Sequence, residues 1–331
     1  MPEQPTPHQP VRSDSARTAP PAQPATPSQT AAPAQTTAPA QPATPGHESP
    51  EADRPVLVTG ATGKSGRRVV ARLRARGVPV RAAARHGEFP FDWSDRTTWD
   101  AALAGVRAVY VVQLDGTKLV RPFVERAVAH GARRLVLASG RGIDDPNYAQ
   151  DSAGVLDGIL DSEAAVRESG VAWTISRPGW FAQNFSEGFF ADAVRAGELR
   201  LPGGDGAASF VDADDIAAVV AAALTEDRHA GQTYELSGPA ALTLHEVAAT
   251  ISEAAGRIVR YTPVTVDAYV AELVAQGLPP ADAEAFAHVI APLRNGTDAY
   301  LSDGVQRALG RPARSFAEFA KSTAANGGWT A

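Results

Sequence analysis

The segment VLVTGATGKSG, residues 56–66, contains the residues whose types and spacing best fit chemistry on a nucleotide. Gly63, Lys64 and Ser65 match the end of a Walker A loop, G-x-x-x-x-G-K-[ST], which wraps the phosphates of ATP or GTP. That motif needs a glycine at position 58, where the chain has Val58. Because the loop must start at a residue without a Cβ atom, a β-branched residue there excludes the ATP- or GTP-binding interpretation.

Three glycines of the same segment, Gly60, Gly63 and Gly66, fit G-x-x-G-x-x-G, a dinucleotide-binding loop. Such a loop needs a buried strand before it and a helix after it. The apolar run 56–58 predicts the strand, and one apolar helical face ending before a glycine predicts the helix. The alternative is a structural tight turn. We predict that the loop binds the dinucleotide through Gly60, Ala61, Thr62, Gly63, Lys64, Ser65 and Gly66.

The elements that must position this loop follow an alternating pattern. Apolar runs at 78–84, 106–112, 133–139 and 171–176 alternate with helical segments, which indicates a parallel sheet. We therefore predict an α/β fold, a Rossmann-like doubly wound parallel sheet with a smaller mixed α/β C-terminal part. Residues 54–178 would mainly bind the dinucleotide, and residues 179–331 would mainly bind the substrate.

Composition separates the first fifty residues from the rest and excludes several classes of protein. Thirteen of the 26 prolines lie in residues 1–50, so we expect residues 1–53 to be a disordered tail rich in Pro, Ala, Gln and Thr. A net charge of −6 without a basic run argues against nucleic acid as a partner. The chain lacks cysteine, a membrane-length apolar stretch and histidines at ligand spacing. We expect a cytoplasmic protein without a metal; its oligomeric state stays open.

The residues after the second predicted strand indicate which dinucleotide is bound. A carboxylate about twenty residues beyond the glycine loop would bind the ribose 2′-hydroxyl of NADH, whereas the chain has Arg85 there. A guanidinium matches a 2′-phosphate, so we predict NADPH, with Lys64 as a second cation. The alternative is a solvated arginine. We also expect Asp92 and Trp93 to border the adenine, although Trp93 could be a core residue. The other predicted cofactor-binding residues follow two strands: Val112, Gln113, Ser139 and Gly140.

The segment RPGWFAQNF, residues 177–185, leaves the sixth strand where a doubly wound sheet opens its crevice. Its aromatic side chains suit a flat, unsaturated molecule, and its amides can orient one by hydrogen bonds. In the alternative interpretation, the aromatic residues are core. The predicted substrate-binding residues are Trp180, Phe181, Asn184 and Phe185.

The segments VLVTGATGKSG, FDWSDRTTW, TISRPGWFAQNF and FVDADDIAAVVAAAL resemble the NmrA-like branch of atypical short-chain dehydrogenases. The resemblance covers about residues 55–320 and is strongest to the reductases of ergot alkaloid biosynthesis and their bacterial relatives. It implies a Rossmann fold, NAD(P)H binding and reduction of a small organic molecule. The branch also contains regulators that sense the dinucleotide without catalysis, so a non-catalytic sensor that binds a protein partner is the alternative function.

The Tyr-x-x-x-Lys dyad of many short-chain dehydrogenases is absent, because Tyr148 is followed four residues later by Ser152. In that dyad the lysine lowers the tyrosine pKa so that the tyrosine can protonate an alkoxide. Its absence favours substrates whose reduction needs no protein acid, namely an iminium, a quinone or an enone. The candidate catalytic residues are Ser139, which could donate a hydrogen bond near the nicotinamide or only satisfy local backbone, and Tyr148.

Overall fold

The computed structural model describes residues 53–145 and 155–330 of the chain. The predicted tail, apart from Asp53, and Tyr148 lie outside the described residues. The strands are β1 (Val56–Val58), β2 (Val80–Ala84), β3 (Phe89–Pro90), β4 (Ala108–Val112), β5 (Arg134–Ala138), β6 (Ala172–Pro178), β7 (Trp180–Phe181), β8 (Glu198–Leu201), β9 (Ala207–Val211), β10 (Gln232–Leu236), β11 (Ala241–Thr243) and β12 (Arg260–Pro263).

The helices alternate with these strands. They are α1 (Lys64–Ala75), α2 (Thr97–Leu103), α3 (Val120–Ala129), α4 (Val155–Arg167), α5 (Ala191–Ala196), α6 (Ala213–Thr225), α7 (Leu244–Ala255), α8 (Val266–Ala275), α9 (Pro280–Val289), α10 (Ala291–Arg294), α11 (Gly304–Leu309) and α12 (Phe316–Ala325). Short 3₁₀ turns lie at Ala182–Phe185, Asp227–His229 and Thr297–Ala299.

Seven parallel strands form the central sheet in the order β10-β6-β5-β4-β1-β2-β3. The chain winds from β1 outward to β3 and then returns to β4 on the other side of β1. The strand order therefore reverses between β1 and β4, and sheets of this kind bind ligands at the carboxyl ends of the strands beside such a switch point. This topology confirms the predicted doubly wound fold.

Buried side chains of alternating direction hold helices on both faces of the sheet. In β1, Val56 and Val58 belong to a cluster with α1, α6 and α11, whereas Leu57 belongs to a cluster with α2, α3 and α4. All three side chains are fully buried. Strands that are buried on both faces need continuous apolar runs, which is why these segments lack the alternation of a half-exposed strand.

A second core lies in the C-terminal part, where a three-stranded sheet (β11-β9-β7) and the pair β12-β8 pack with α7, α8, α9 and α12. The predicted division at residue 178 is not a boundary of the central sheet. β10 pairs in parallel with β6, and α6 packs on α1, so both elements complete the dinucleotide-binding layers. The segment 280–293 forms two helices that meet at Ile290, because Pro292 lacks the N–H that a continuous helix would need.

Candidate cofactor and substrate site

The glycine loop joins β1 to α1 through a backbone that side chains would disrupt. Gly60 has φ +60°, which favours glycine, and its carbonyl accepts a hydrogen bond of 2.9 Å from the Gly63 N–H. A Cβ atom on Gly66 would lie 2.2 Å from the Gly60 carbonyl oxygen, so the helix approaches the loop as closely as backbone permits. Helix α1 begins without a side-chain cap at Gly63. Its first amides are therefore available to an anion, and the loop fits the pyrophosphate of a dinucleotide.

Val112, at the end of β4, connects three parts of the predicted cofactor site. Its backbone N–H donates to Thr59 Oγ1 at 2.8 Å, and its carbonyl accepts from Trp93 Nε1 at 3.0 Å. A Cβ atom on Gly60 would lie 3.1 Å from Val112 Cβ. The structure thus brings Gly60, Trp93 and Val112 together at the switch point. Gln113, which follows, is half-buried.

Trp93 and Asp92 lie after β3, and both have structural partners. The Trp93 ring is 9% exposed and meets Phe91 and Phe123 edge to face, at centroid distances of 5.2 and 4.9 Å. The core interpretation accounts for most of this ring. Asp92 Oδ1 accepts a hydrogen bond of 2.8 Å from the Ser94 N–H, so its carboxylate organises the turn that leads to α2.

The two predicted cations point to different parts of the molecule. Arg85 follows β2, is exposed, and makes no hydrogen bond or ion pair within the described part of the chain. Lys64 Nζ donates to Asn184 Oδ1 at 3.0 Å and lies 5.0 Å from the centroid of the Phe189 ring. Burial, and secondarily the charge of Arg67, lowers the pKa of Lys64. Its ammonium is thus engaged by the C-terminal part.

Ser139, directly after β5, belongs to a buried charged network that the sequence did not reveal. Its hydroxyl donates to Glu163 Oε1 at 2.6 Å, and Arg177 donates to both oxygens of that carboxylate, from Nε and Nη2, at 2.8 Å each. Glu163 lies on α4 and is fully buried. Arg177 Nη1 also donates to Asp144 at 2.7 Å. No local pattern marks Glu163, because its partners lie on two other elements.

The electrostatics of this network favour an ionised Glu163. Burial would raise its pKa, but hydrogen bonds from Arg177 and Ser139 outweigh burial and hold the pKa below its ordinary value. Arg167, one helical turn away, places a second guanidinium 2.8 Å from Glu163 Oε2. The pKa of Arg177 is raised, first by its hydrogen bonds to Glu163. Gly140, the next residue after Ser139, is half-buried.

The predicted aromatic wall is divided by the fold. Trp180 is half-buried and donates from Nε1 to Asp298 Oδ2 at 2.7 Å, and Phe181 is half-buried against the core beneath α1 and α6. Asn184 is buried, and Phe185 is fully buried in the second core. Phe185 thus occupies the position of a core residue, as the alternative interpretation has it, and we do not carry it into the proposal below.

Phe189 is an aromatic residue near the glycine loop that the sequence reasoning missed. It is 66% exposed, lies beneath the Lys64 ammonium, and meets Phe286 of α9 edge to face at 4.9 Å. Its segment is tied to α1 by ion pairs of Glu187 with Arg67 and Arg68. The only signal in the sequence is a phenylalanine pair at 189–190 without helical periodicity.

Within the described ranges, no helix is both long and apolar enough to cross a bilayer. The same residues contain no group of three or more potential metal-ligating side chains. Asp212, which starts α6, instead accepts a hydrogen bond from the Asp214 N–H and caps the helix.

Comparison with known proteins identifies the family of this chain. The chain matches the NAD(P)H-binding family over residues 60–227. It is 37% identical to the NAD(P)H azoreductase of Xenophilus azovorans, over 82% of this chain and 98% of the relative. It is 39% identical to the (4-alkanoyl-5-oxo-2,5-dihydrofuran-3-yl)methyl phosphate reductase of Streptomyces griseus, over 80% of this chain and 96% of the relative.

A solved structure shows the same fold. It is an NADPH-dependent quinone oxidoreductase from Escherichia coli in complex with NADPH, which superposes with a TM-score of 0.65 at 24% identity and covers 81% of this chain and 99% of its own. The chain belongs to the NAD(P)H-binding family, in its NmrA-like reductase branch, and is an NAD(P)H-dependent oxidoreductase.

Proposed function

We propose that this protein is an NADPH-dependent reductase that transfers hydride to a small unsaturated organic molecule: an iminium, a quinone or an enone. The observation that carries the proposal is the glycine loop, whose crowded backbone and uncapped helix start fit the pyrophosphate of a dinucleotide. Two relatives that match over four fifths of the chain are named as reductases, which supports the same class of reaction.

Arg85 supports NADPH as the cofactor. Its guanidinium stands at the end of β2 without a partner among the described residues, and it can bind a 2′-phosphate through two parallel hydrogen bonds. A cavity of about 280 Å³ is lined by Ala61 and Thr62 of the glycine loop and by Gly87 and Glu88 beyond β2, and Arg74 of α1 also lines it. A phosphorylated ribose would reach this place from the glycine loop.

The Arg85→Ala variant tests this choice of cofactor. A lost charge-assisted contact is worth about 1.5–3 kcal/mol, so the Kd for NADPH should rise roughly 10- to 100-fold, while the Kd for NADH changes less than about twofold. Arg76→Ala removes another exposed arginine at the far end of α1 and should change neither constant. Equal affinities of the wild type for NADPH and NADH would contradict the assignment.

The absent Tyr-x-x-x-Lys dyad supports the substrate class. When bound, NADPH would supply a hydride, which carries two electrons and one proton, and would leave as NADP⁺. An iminium carbon that accepts hydride becomes a neutral amine, and a quinone becomes a hydroquinone anion that takes its proton from water. An enone that accepts hydride at its β-carbon becomes an enolate, which water also protonates. None of these products requires an acid from the protein, whereas a simple ketone would give a strongly basic alkoxide.

Trp180 is the residue that we propose to border the substrate, because it is half-buried in β7, directly beyond the carboxyl end of β6, whereas Phe181 packs against the core beneath α1 and α6. The experiment is NADPH oxidation by the full chain across a panel containing a quinone, a cyclic iminium, an enone and a saturated ketone. We expect oxidation with one of the first three and much slower oxidation with the ketone. A preference for the ketone would contradict the acid-free chemistry, and NADPH binding without oxidation of any compound would favour the dinucleotide sensor.

A further inference from the structure

The hydroxyl of Ser139 donates its single proton in a hydrogen bond to Glu163. A serine hydroxyl offers one O–H donor and two lone pairs. The Ser139 hydroxyl lies 2.6 Å from Glu163 Oε1, and that carboxylate also receives two hydrogen bonds from Arg177 and an ion pair from Arg167. With two guanidinium groups against it, Glu163 is the acceptor of every one of these contacts. Ser139 must therefore be the donor.

This direction decides what Ser139 can offer to a ligand. Its side chain is half-buried at the carboxyl end of β5, beside the switch point between β4 and β1. A dinucleotide held on the loop after β1 extends across these strand ends, with its adenine half over β2 and β3 and its nicotinamide half over β4 and β5. Towards that half, Ser139 presents lone pairs and no proton.

We propose that Glu163, held by Arg177, fixes Ser139 as a hydrogen-bond acceptor for the carboxamide N–H₂ of the nicotinamide. Ser139 is then a cofactor-binding residue and not a proton donor to the substrate. Glu163 and Arg177 are positioning residues that act through it. The inference deepens the proposed function and rests on it, because it requires a nicotinamide dinucleotide on the glycine loop.

The network is rigid enough for this role. Glu163 is fully buried and Arg177 is 6% exposed, so water does not compete for the carboxylate. The side-on pair uses Nε and Nη2 of the guanidinium, a geometry that fixes the plane of the carboxylate as well as its position. The Ser139 N–H donates to the Ser176 carbonyl of β6 at 2.8 Å, which holds the backbone beneath the hydroxyl.

The test compares two dinucleotides by titration calorimetry, without turnover. NADP⁺ carries the carboxamide, and 3-acetylpyridine adenine dinucleotide phosphate keeps the carbonyl but has a methyl group in place of N–H₂. We expect the wild type to bind NADP⁺ roughly three- to tenfold more tightly, as for one hydrogen bond. In Ser139→Ala this preference should fall to less than twofold, through weaker binding of NADP⁺ alone. Ser176→Ala, the same change on the neighbouring strand, should keep the wild-type preference.

Other outcomes separate the remaining possibilities. Equal weakening of both dinucleotides in Ser139→Ala would mean that Ser139 donates to the carbonyl, and an unchanged preference would mean that it does not contact the carboxamide. Either result overturns the inference and leaves the proposed function intact. Failure of the wild type to bind either dinucleotide would overturn both.

Glu163→Gln tests the positioning role. Without the carboxylate, the Ser139 proton can turn into the cleft, so the preference for NADP⁺ should fall although Ser139 is still present. Retention of the full preference in a folded Glu163→Gln protein would show that Glu163 does not orient Ser139. Arg177→Lys keeps a cation beside Glu163, and Arg167 also remains against the carboxylate, so Ser139 should still donate to Glu163 and the preference for NADP⁺ should be retained. If Glu163→Gln does not fold, the comparison of Ser139→Ala with wild type decides the inference.

Discussion

Gly66→Ala is the change that most directly tests how the glycine loop is built. The added Cβ atom would lie 2.2 Å from the Gly60 carbonyl oxygen and 2.9 Å from its carbon. Ordinary contacts begin at 3.4 Å, so the methyl group is about 1.2 Å too close to one of these atoms. Both sides of the contact are backbone, and no rotamer change can relieve it. The start of α1 must move away from β1 by about an ångström.

Such a shift should reduce cofactor binding more than it reduces stability. Overpacking of this kind costs about 1–3 kcal/mol of unfolding free energy. The amides at the start of α1 move with the helix, and a shift of about 1 Å lengthens an N–H···O contact beyond hydrogen-bonding distance. We therefore expect the Kd for NADPH, measured by fluorescence titration, to rise at least tenfold in a protein that still folds.

Gly77→Ala is the matched control at the other end of α1. Gly77 has φ +71°, and no atom lies within 4 Å of the position that an added methyl group would take. Alanine there strains the backbone by about 1 kcal/mol without displacing the helix. It should leave the Kd for NADPH unchanged. If Gly66→Ala bound NADPH within twofold of wild type and lost no more stability than Gly77→Ala, the close approach of α1 would not be what positions the cofactor.

Four further predictions concern single side chains. Trp180→Ala should raise KM or lower kcat with the Kd for NADPH near wild type; if it lost cofactor binding, the Trp180 ring would be structural. Phe185→Ala should cost about 3–5 kcal/mol of unfolding free energy, because it empties a fully buried site. Asp92→Ala should weaken NADPH binding more than twofold, and a smaller change would exclude an adenine contact. The pKa of Glu163 in the folded protein lies below its ordinary value of 4.5, so the ionised carboxylate stabilises the fold above pH 4.5 and this stabilisation is lost as the pH falls through the folded pKa. The thermal midpoint should therefore fall less steeply with acid in Glu163→Gln than in the wild type.

The glycine loop could be predicted because its constraints are local in sequence. The left-handed turn at Gly60 and the crowding at Gly66 involve atoms within six residues of each other, so spacing alone reports them. The break between α9 and α10 has a local signal as well, at Pro292, although the apolar periodicity continues across it.

Sheet membership and the Ser139 network could not be predicted in the same way. Strand β10, at 232–236, is recognisable from its residues. Its pairing with β6 joins segments almost sixty residues apart, and the composition of a strand does not indicate which strand it pairs with. Glu163 similarly stands 24 residues from Ser139 and 14 from Arg177 in the chain. A carboxylate on a helix is usually a solvated residue, and only the fold makes this one a buried acceptor.

The glycine loop and the residues beyond β5 and β6 are held by different interactions, so they should tolerate substitutions differently. At Gly60 and Gly66 the determinants are backbone conformation and close packing, so a side chain at either position would be strained or would clash. Beyond β5 and β6 the determinants are charged side chains whose partners lie on α4, and removal of one takes a counterion from another buried charge. Arg177 without Glu163 would lose its buried side-on partner and keep Asp144 and Glu235, at 2.7 and 3.7 Å from Nη1, as its counterions. On the proposed function, changes in substrate preference should arise mainly at Trp180, which is half-buried and belongs to neither of these two groups of residues.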